Sequence, residues 1–230
     1  MKIGVILPAA QVDEHGGTPN WRTVHSFAQA AESHGLDSVW MFDHFFDRSR
    51  PWTQAMQEAW TIVSAVAAVT QRVEIGTLAL CSSFRNPGLV AKMAVTADDV
   101  SGERLILGLG AGWHDEEYHA FGYPTDHRVD RFEEALQIIG PLLRGTRVSF
   151  QGGITRSGMR SWLQSLAGRS GSWSRETVRG CSGSPPGMQT HGTPPGSGHL
   201  MRNYTGLWRR SPQRSKPKAE IRRPSRGPWG

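Results

Sequence analysis

What this chain has little of narrows it first. Two cysteines, Cys81 and Cys181, in 230 residues exclude a disulfide scaffold and fit a reducing, cytoplasmic setting. No stretch is long and apolar enough for a membrane span. The N-terminal run Met1 to Ala10 has one basic residue and an apolar core of only about eight residues, against the ~20 that a helical span needs. It is too short for a span, poorly shaped for a signal peptide, and reads as a first strand.

Acidic residues are almost missing from the C-terminal third, and this divides the chain in two. Residues 1–150 hold 12 Lys+Arg against 18 Asp+Glu, net −6. Residues 151–230 hold 14 Lys+Arg against only Glu176 and Glu220, net +12, and the two halves sum to the overall +6. A uniformly basic protein would suggest a polyanionic partner, but here the charge belongs to one segment.

The first 150 residues alternate strand and helix. Lys2 to Leu7 is predicted as strand one, and Trp21 to His34 as a helix burying Val24, Phe27, Ala28 and Ala31, with Gly35 as its left-handed stop. Leu36 to Phe42 reads as strand two, Gln57 to Thr70 as helix two, Val73 to Leu80 as strand three, and Leu89 to Val100 as helix three, with Pro87 at its start. Strand four is Leu105 to Leu109. Helix four, about Asp126 to Leu143, buries Phe132, Leu136, Ile139 and Leu143, and Pro141 should kink or end it. Four repeats at a period of roughly 35 residues predict right-handed β-α-β units on a parallel sheet, either doubly wound or part of a (β/α)₈ barrel.

In both architectures ligands bind beyond the C-terminal strand ends. There the chain places Asp43 and His44, then Ser82, Ser83, Arg85 and Asn86, then the glycine loop Gly108-Leu-Gly-Ala-Gly-Trp-His114. His114 with Asp115, Glu116 and Glu117 could be mistaken for a metal cluster, but four adjacent polar residues in a loop read as a solvated helix start, and no metal is expected.

Phe42-Asp43-His44, Gly76-Thr77, Ser83-Phe84-Arg85-Asn86-Pro87, Arg104 to Trp113 and Arg131-Phe132-Glu133-Glu134 together resemble luciferase-like monooxygenases, particularly the branch that uses the deazaflavin coenzyme F420. The resemblance covers about residues 1–150, roughly the first half of such a protein. It implies an α/β fold of (β/α)₈ TIM-barrel type, of which the chain holds the first four β/α units. It also implies an oxidoreductase acting by hydride transfer or flavin oxygenation on a small organic substrate, with F420 or FMN across the strand ends. His44 and Asp43 then take catalytic roles near the flavin ring. Gly76, Thr77, Asn86, Gly110, Ala111, Gly112 and Trp113 are cofactor-binding candidates. Oligomeric state stays open, a homodimer being one option for an intact family member.

From about Gln151 the resemblance stops. In 80 residues Gly, Pro, Ser and Arg make up 46, and only seven are Leu, Ile or Val, too little apolar material to offset chain entropy, so a disordered tail is expected. An alternative function, a basic tail stacking nucleic-acid bases on Trp162, Trp173, Trp208 and Trp229, is disfavoured by the scarcity of lysine and the lack of a repeat. A reading-frame change near residue 152 explains more. Starting each codon at the third base of the displayed one, Met188 to Pro195 permits a string containing alanine-aspartate-alanine-tryptophan-asparagine, a family motif, and Gly152 to Thr155 and Ser184 to Gly187 permit family-like strings in the right order. On this reading strands one and four are unpaired edges, the barrel interior is exposed, and the chain is inactive.

Overall fold

The computed structural model describes residues 1–9, 18–46, 56–154, 173–176 and 205–210. Four parallel units run β1 (Gly4–Ile6), α1 (Trp21–Ser33), β2 (Ser38–Met41), α2 (Ala59–Val69), β3 (Glu74–Thr77), β4 (Leu80–Cys81), α3 (Pro87–Ser101), β5 (Leu105–Gly110), α4 (Asp115–Phe121) and α5 (Arg128–Leu143). Two further strands, β6 (Trp173–Glu176) and β7 (Thr205–Arg210), complete a sheet ordered β1-β2-β3-β5-β7-β6, with β4 also on β5.

Local chemistry sets the boundaries. Asn20 caps α1 by accepting from the Thr23 N–H at 3.1 Å, and Gly35 takes the left-handed turn at φ 83° that a side chain would strain. Asn86 caps α3 from just ahead of Pro87, accepting from Gly88 and Leu89 at 2.9 and 3.2 Å. Pro141 leaves α5 one more turn, and the helix ends at Leu143. Arg104 locks the entry of β5. Its guanidinium donates to the carbonyls of Ala67, Thr70, Val73 and Ser101 at 2.6–3.1 Å, joining the ends of α2 and α3 to the start of β3.

Period-2 alternation divides the sheet faces. Val39, Met41, Ile75, Leu105, Leu107 and Leu109 pack with Val24, Ala28, Val63, Val66, Val90, Ala94, Phe132 and Ile139 of the helices in one continuous core. On the opposite face Trp40 lies across two neighbouring glycines. A Cβ on Gly76 would meet its ring at 2.3 Å, and one on Gly4 would meet its Nε1 at 2.6 Å. The indole N–H donates to Ser38 Oγ at 2.9 Å.

Three expectations are corrected. Phe27 is exposed, because it sits on the shoulder of the α1 face and not at its centre. Strand three is two strands: its ladder breaks at Leu78 and Ala79, whose peptide is cis, and resumes as β4 against Leu109 and Gly110. The fourth strand is not an edge. β7 pairs antiparallel with β5 from Gly110↔Thr205 to Ile106↔Arg209 and buries Trp208, so part of the segment expected to be disordered belongs to the sheet. Trp208 fits because α5 offers Gly140 beneath it, where a Cβ would stand 2.7 Å from the indole. Cys181, Trp162, Trp229 and the stretch 184–195 lie outside the described residues.

Candidate active site

The parallel register brings the ends of β2, β4 and β5 to one edge, and with them Asp43, His44, Cys81 and the loop Ala111 to His114. Asp43 is buried, and both its oxygens are engaged. Oδ2 accepts from the Cys81 N–H at 2.8 Å and from Arg85 at 2.6 Å, and Oδ1 accepts from the same guanidinium at 3.0 Å. Arg85 also donates to Glu58 Oε1 at 2.5 Å, and Glu58 caps α2 through the Trp60 and Thr61 N–H groups. Burial works against the Arg85 charge, but the hydrogen bonds and charges of Asp43 and then Glu58 outweigh it and raise the guanidinium pKa above its ordinary value. Asp43 is therefore buried and ties three loops together.

His44 is partly exposed at the same edge. Its Nδ1 lies 3.0 Å from Glu117 Oε2, and its side chain is 27% exposed. An ionised carboxylate only accepts, so Glu117 places the His44 proton on Nδ1 and leaves Nε2 as the acceptor nitrogen of the ring. The other Glu117 oxygen accepts the backbone N–H groups of Phe45 at 2.5 Å and Phe46 at 3.1 Å, which fixes the loop carrying His44. Burial pushes the Glu117 carboxyl up, but the hydrogen bond and charge of His44, then the Phe46 and Phe45 N–H groups, hold it below its ordinary value. The expectation of a solvated helix start is thus corrected for Glu117. α4 turns it inward, next to the fully buried Tyr118, because the loop after β2 supplies its donors. No sequence signal separated Glu117 from its acidic neighbours Asp115 and Glu116, which stay exposed.

Trp113 is 48% exposed and stands edge-on to His44 at 5.3 Å between ring centroids, stacked on His114 at 5.1 Å. Below them Phe45 stacks on Phe84 at 4.6 Å, and Phe84 lies 4.9 Å from Tyr123. The remaining candidates divide by geometry. Gly110 and Ala111 lie half-buried on the edge, and Gly110 has room for a Cβ. Gly112 has φ 80° and the Tyr118 hydroxyl 2.0 Å from where its Cβ would be. Thr77 is buried, its hydroxyl donating to the Gly108 carbonyl at 2.8 Å and accepting the Gly108 N–H at 2.9 Å, and Asn86 is occupied as a helix cap. Ser82 has a buried hydroxyl at this edge with no hydrogen-bond partner among the described residues.

A sequence profile described as luciferase-like monooxygenase matches residues 1–179. The chain belongs to that family. The profile match runs past the change of composition at residue 151. The chain is 37% identical over 138 residues to an F420-dependent glucose-6-phosphate dehydrogenase of Amycolatopsis mediterranei, covering 57% of this chain and 40% of that protein. A namesake from Gordonia bronchialis is 32% identical over 163 residues, covering 66% and 44%. The chain thus spans about two-fifths of the length of these curated relatives. Among solved structures it resembles monooxygenase RslO1 from Streptomyces bottropensis (25% identity, TM-score 0.56, 69% of this chain and 47% of that one). It also resembles an F420-dependent secondary alcohol dehydrogenase in complex with an F420-acetone adduct (26%, 0.53, 66% and 46%). The parallel units are those of the TIM-barrel type found in such luciferase-like enzymes. Among the described residues no helix is long and apolar enough to cross a membrane.

The site's electrostatics set a pH dependence. Burial raises the Glu58 carboxyl, but hydrogen bonds from Thr61, Arg85 and Trp60 outweigh it, so Glu58 and Glu117 both titrate below their ordinary value in the folded state. A carboxyl depressed by folding adds stability that is present above its unfolded pKa and is lost on acidification. Urea midpoints are therefore expected to fall as pH drops below about 4.3, the ordinary glutamate value. The slope should be shallower in Glu117→Gln. A midpoint independent of pH between 5 and 3 contradicts this.

Proposed function

We propose that this chain carries one wall of the site of an oxidoreductase that moves a hydride between a small organic substrate and coenzyme F420. The observation that carries the reading is the Glu117-oriented His44, partly exposed beside Trp113 at the strand-end edge. F420 is favoured over FMN because the curated relatives at 32–37% identity are named for it. The residues fit such a group: a half-exposed indole for a ring system, a buried Ser82 hydroxyl with no partner among the described residues, and a half-buried Gly110-Ala111 backbone. When bound, F420 supplies the ring that carries the hydride. His44 Nε2 handles the proton that accompanies the hydride at the substrate, Glu117 holds its tautomer, and Trp113 shields the edge from water.

We further infer that the chain as written binds neither F420 nor FMN appreciably. After β5 a barrel requires another parallel strand, whereas β7 runs antiparallel there, and the composition of 151–230 supports a reading-frame change. The test compares two proteins by cofactor fluorescence at micromolar concentration: this chain, and one re-encoded from codon 152 in the frame proposed above. The first is expected to leave both cofactors unquenched. The second is expected to bind F420 and, with glucose 6-phosphate supplied as the hydride donor, to reduce it as that sugar is oxidised, with His44→Gln losing turnover while retaining binding. Quenching by the chain as written overturns the loss of binding, and a re-encoded chain that turns over FMN alone overturns the choice of F420.

A further inference from the structure

One group of side chains at this edge has a property that hydride transfer does not require. His44, His114 and Glu117 each offer a ligand atom, and the three atoms lie within 4.8 Å of one another. Glu117 Oε2 stands 3.0 Å from His44 Nδ1 and 3.4 Å from His114 Nδ1. A tetrahedral ion with metal–ligand distances of about 2.0–2.1 Å has ligands separated by about 3.3 Å, so these spacings are those of ligands around an ion.

The surroundings supply what metal ligands need from their neighbours. His114 Nδ1 is buried and has no hydrogen-bond partner among the described residues, while its Nε2 lies 3.1 Å from Glu116 Oε2. A carboxylate holding one imidazole nitrogen turns the other toward the ion, which is the usual arrangement around ligating histidines. Glu117 Oε1 is occupied by the Phe45 and Phe46 N–H groups, so only Oε2 is presented. His44, the most exposed of the three, has the freedom to close the last separation by rotating its ring.

We propose that His44 Nδ1, His114 Nδ1 and Glu117 Oε2 form a binding site for a borderline divalent cation of the zinc type, with a fourth position open to solvent. Two imidazoles and one carboxylate suit that class better than magnesium or calcium, which take oxygen ligands. Binding displaces the proton from His44 Nδ1 and removes the hydrogen bond that orients its ring. The ion and the oxidoreductase role of His44 are thus mutually exclusive, and the site stands independently of that role.

Cobalt(II) is the probe, titrated into the full chain under argon. One ion per chain is expected to give the intense visible absorption of four- or five-coordinate cobalt, and zinc should abolish it. His114→Ala should weaken cobalt binding at least tenfold, while near-UV circular dichroism shows that the fold is kept, and His44→Ala should do the same. The proposal is overturned if cobalt keeps the pale spectrum of the aqueous ion, or if the intense band survives both substitutions.

Discussion

Arg85→Met is expected to destabilise the fold by about 3–5 kcal/mol, the cost of leaving a buried charge without its partner. Asp43 cannot recruit water in exchange, since its side chain is 1% exposed and its two oxygens take two bonds from Arg85 and one from the Cys81 backbone. Arg85→Lys should fall between the variant and the parent, because an ammonium keeps the charge but cannot span both oxygens and Glu58 at once. The double variant Asp43→Asn with Arg85→Met should recover more than half of the loss, since a neutral amide carries a much smaller burial penalty. Urea unfolding at pH 7 measures all four proteins. A loss below about 1 kcal/mol for Arg85→Met, within the range of an ordinary surface change, contradicts this account. His44 follows Asp43 directly in the chain, so the same variant should also disturb the aromatic circular dichroism of the His44 and Trp113 cluster.

Gly112→Ala comes second in size. A left-handed backbone disfavours a side chain by about 1–2 kcal/mol, and overpacking a filled site adds about 1–3 kcal/mol. Both apply at φ 80°, with Tyr118 Oη 2.0 Å and Cys81 Sγ 2.6 Å from the position of the new methyl group. The hydroxyl cannot easily withdraw, because it donates to the Ala111 carbonyl at 3.0 Å. Gly110→Ala, two residues earlier, should be nearly neutral: its Cβ would meet only the Ala79 methyl, at 3.4 Å. Thermal unfolding of the two variants side by side checks the contrast, and equal losses would contradict it. The pair also separates two roles for the loop. Gly112 is required by the fold, whereas Gly110 has space on the open edge.

The β/α alternation was legible because its signals are local. The 3.6-residue spacing of Val24, Ala28 and Ala31, the stop at Gly35, and Pro87 at a helix start each act within a turn or two of chain. The break at Leu78 and Ala79 was not legible, since nothing in the composition of Val73 to Leu80 marks where the ladder lapses. At the site, sequence position correctly gathered Asp43, His44 and the loop Gly110 to Trp113 on one edge, because parallel strands end together. It could not divide the labour among them. That Asp43 faces inward to Arg85 while His44 faces outward depends on the partners that reach them from 42 and 73 residues away. Glu117 was hidden by two acidic neighbours of the same appearance, and Gly76 looked like a ligand-facing glycine until Trp40 was seen across it.

Trp208 beside Leu107 has a consequence for how the molecule assembles. The parallel units join segments roughly 35 residues apart, whereas β7 reaches β5 across 101 residues of chain. Closing a longer loop costs more entropy, by about 0.6 kcal/mol for each doubling, and contacts distant in sequence form slowly. Contacts within the four units are therefore expected to form before β7 docks on them. Until it arrives, β5 offers its backbone and the ledge at Gly140 to any extended segment nearby, so the newly made chain is most prone to stick to its neighbours in the interval between these two steps.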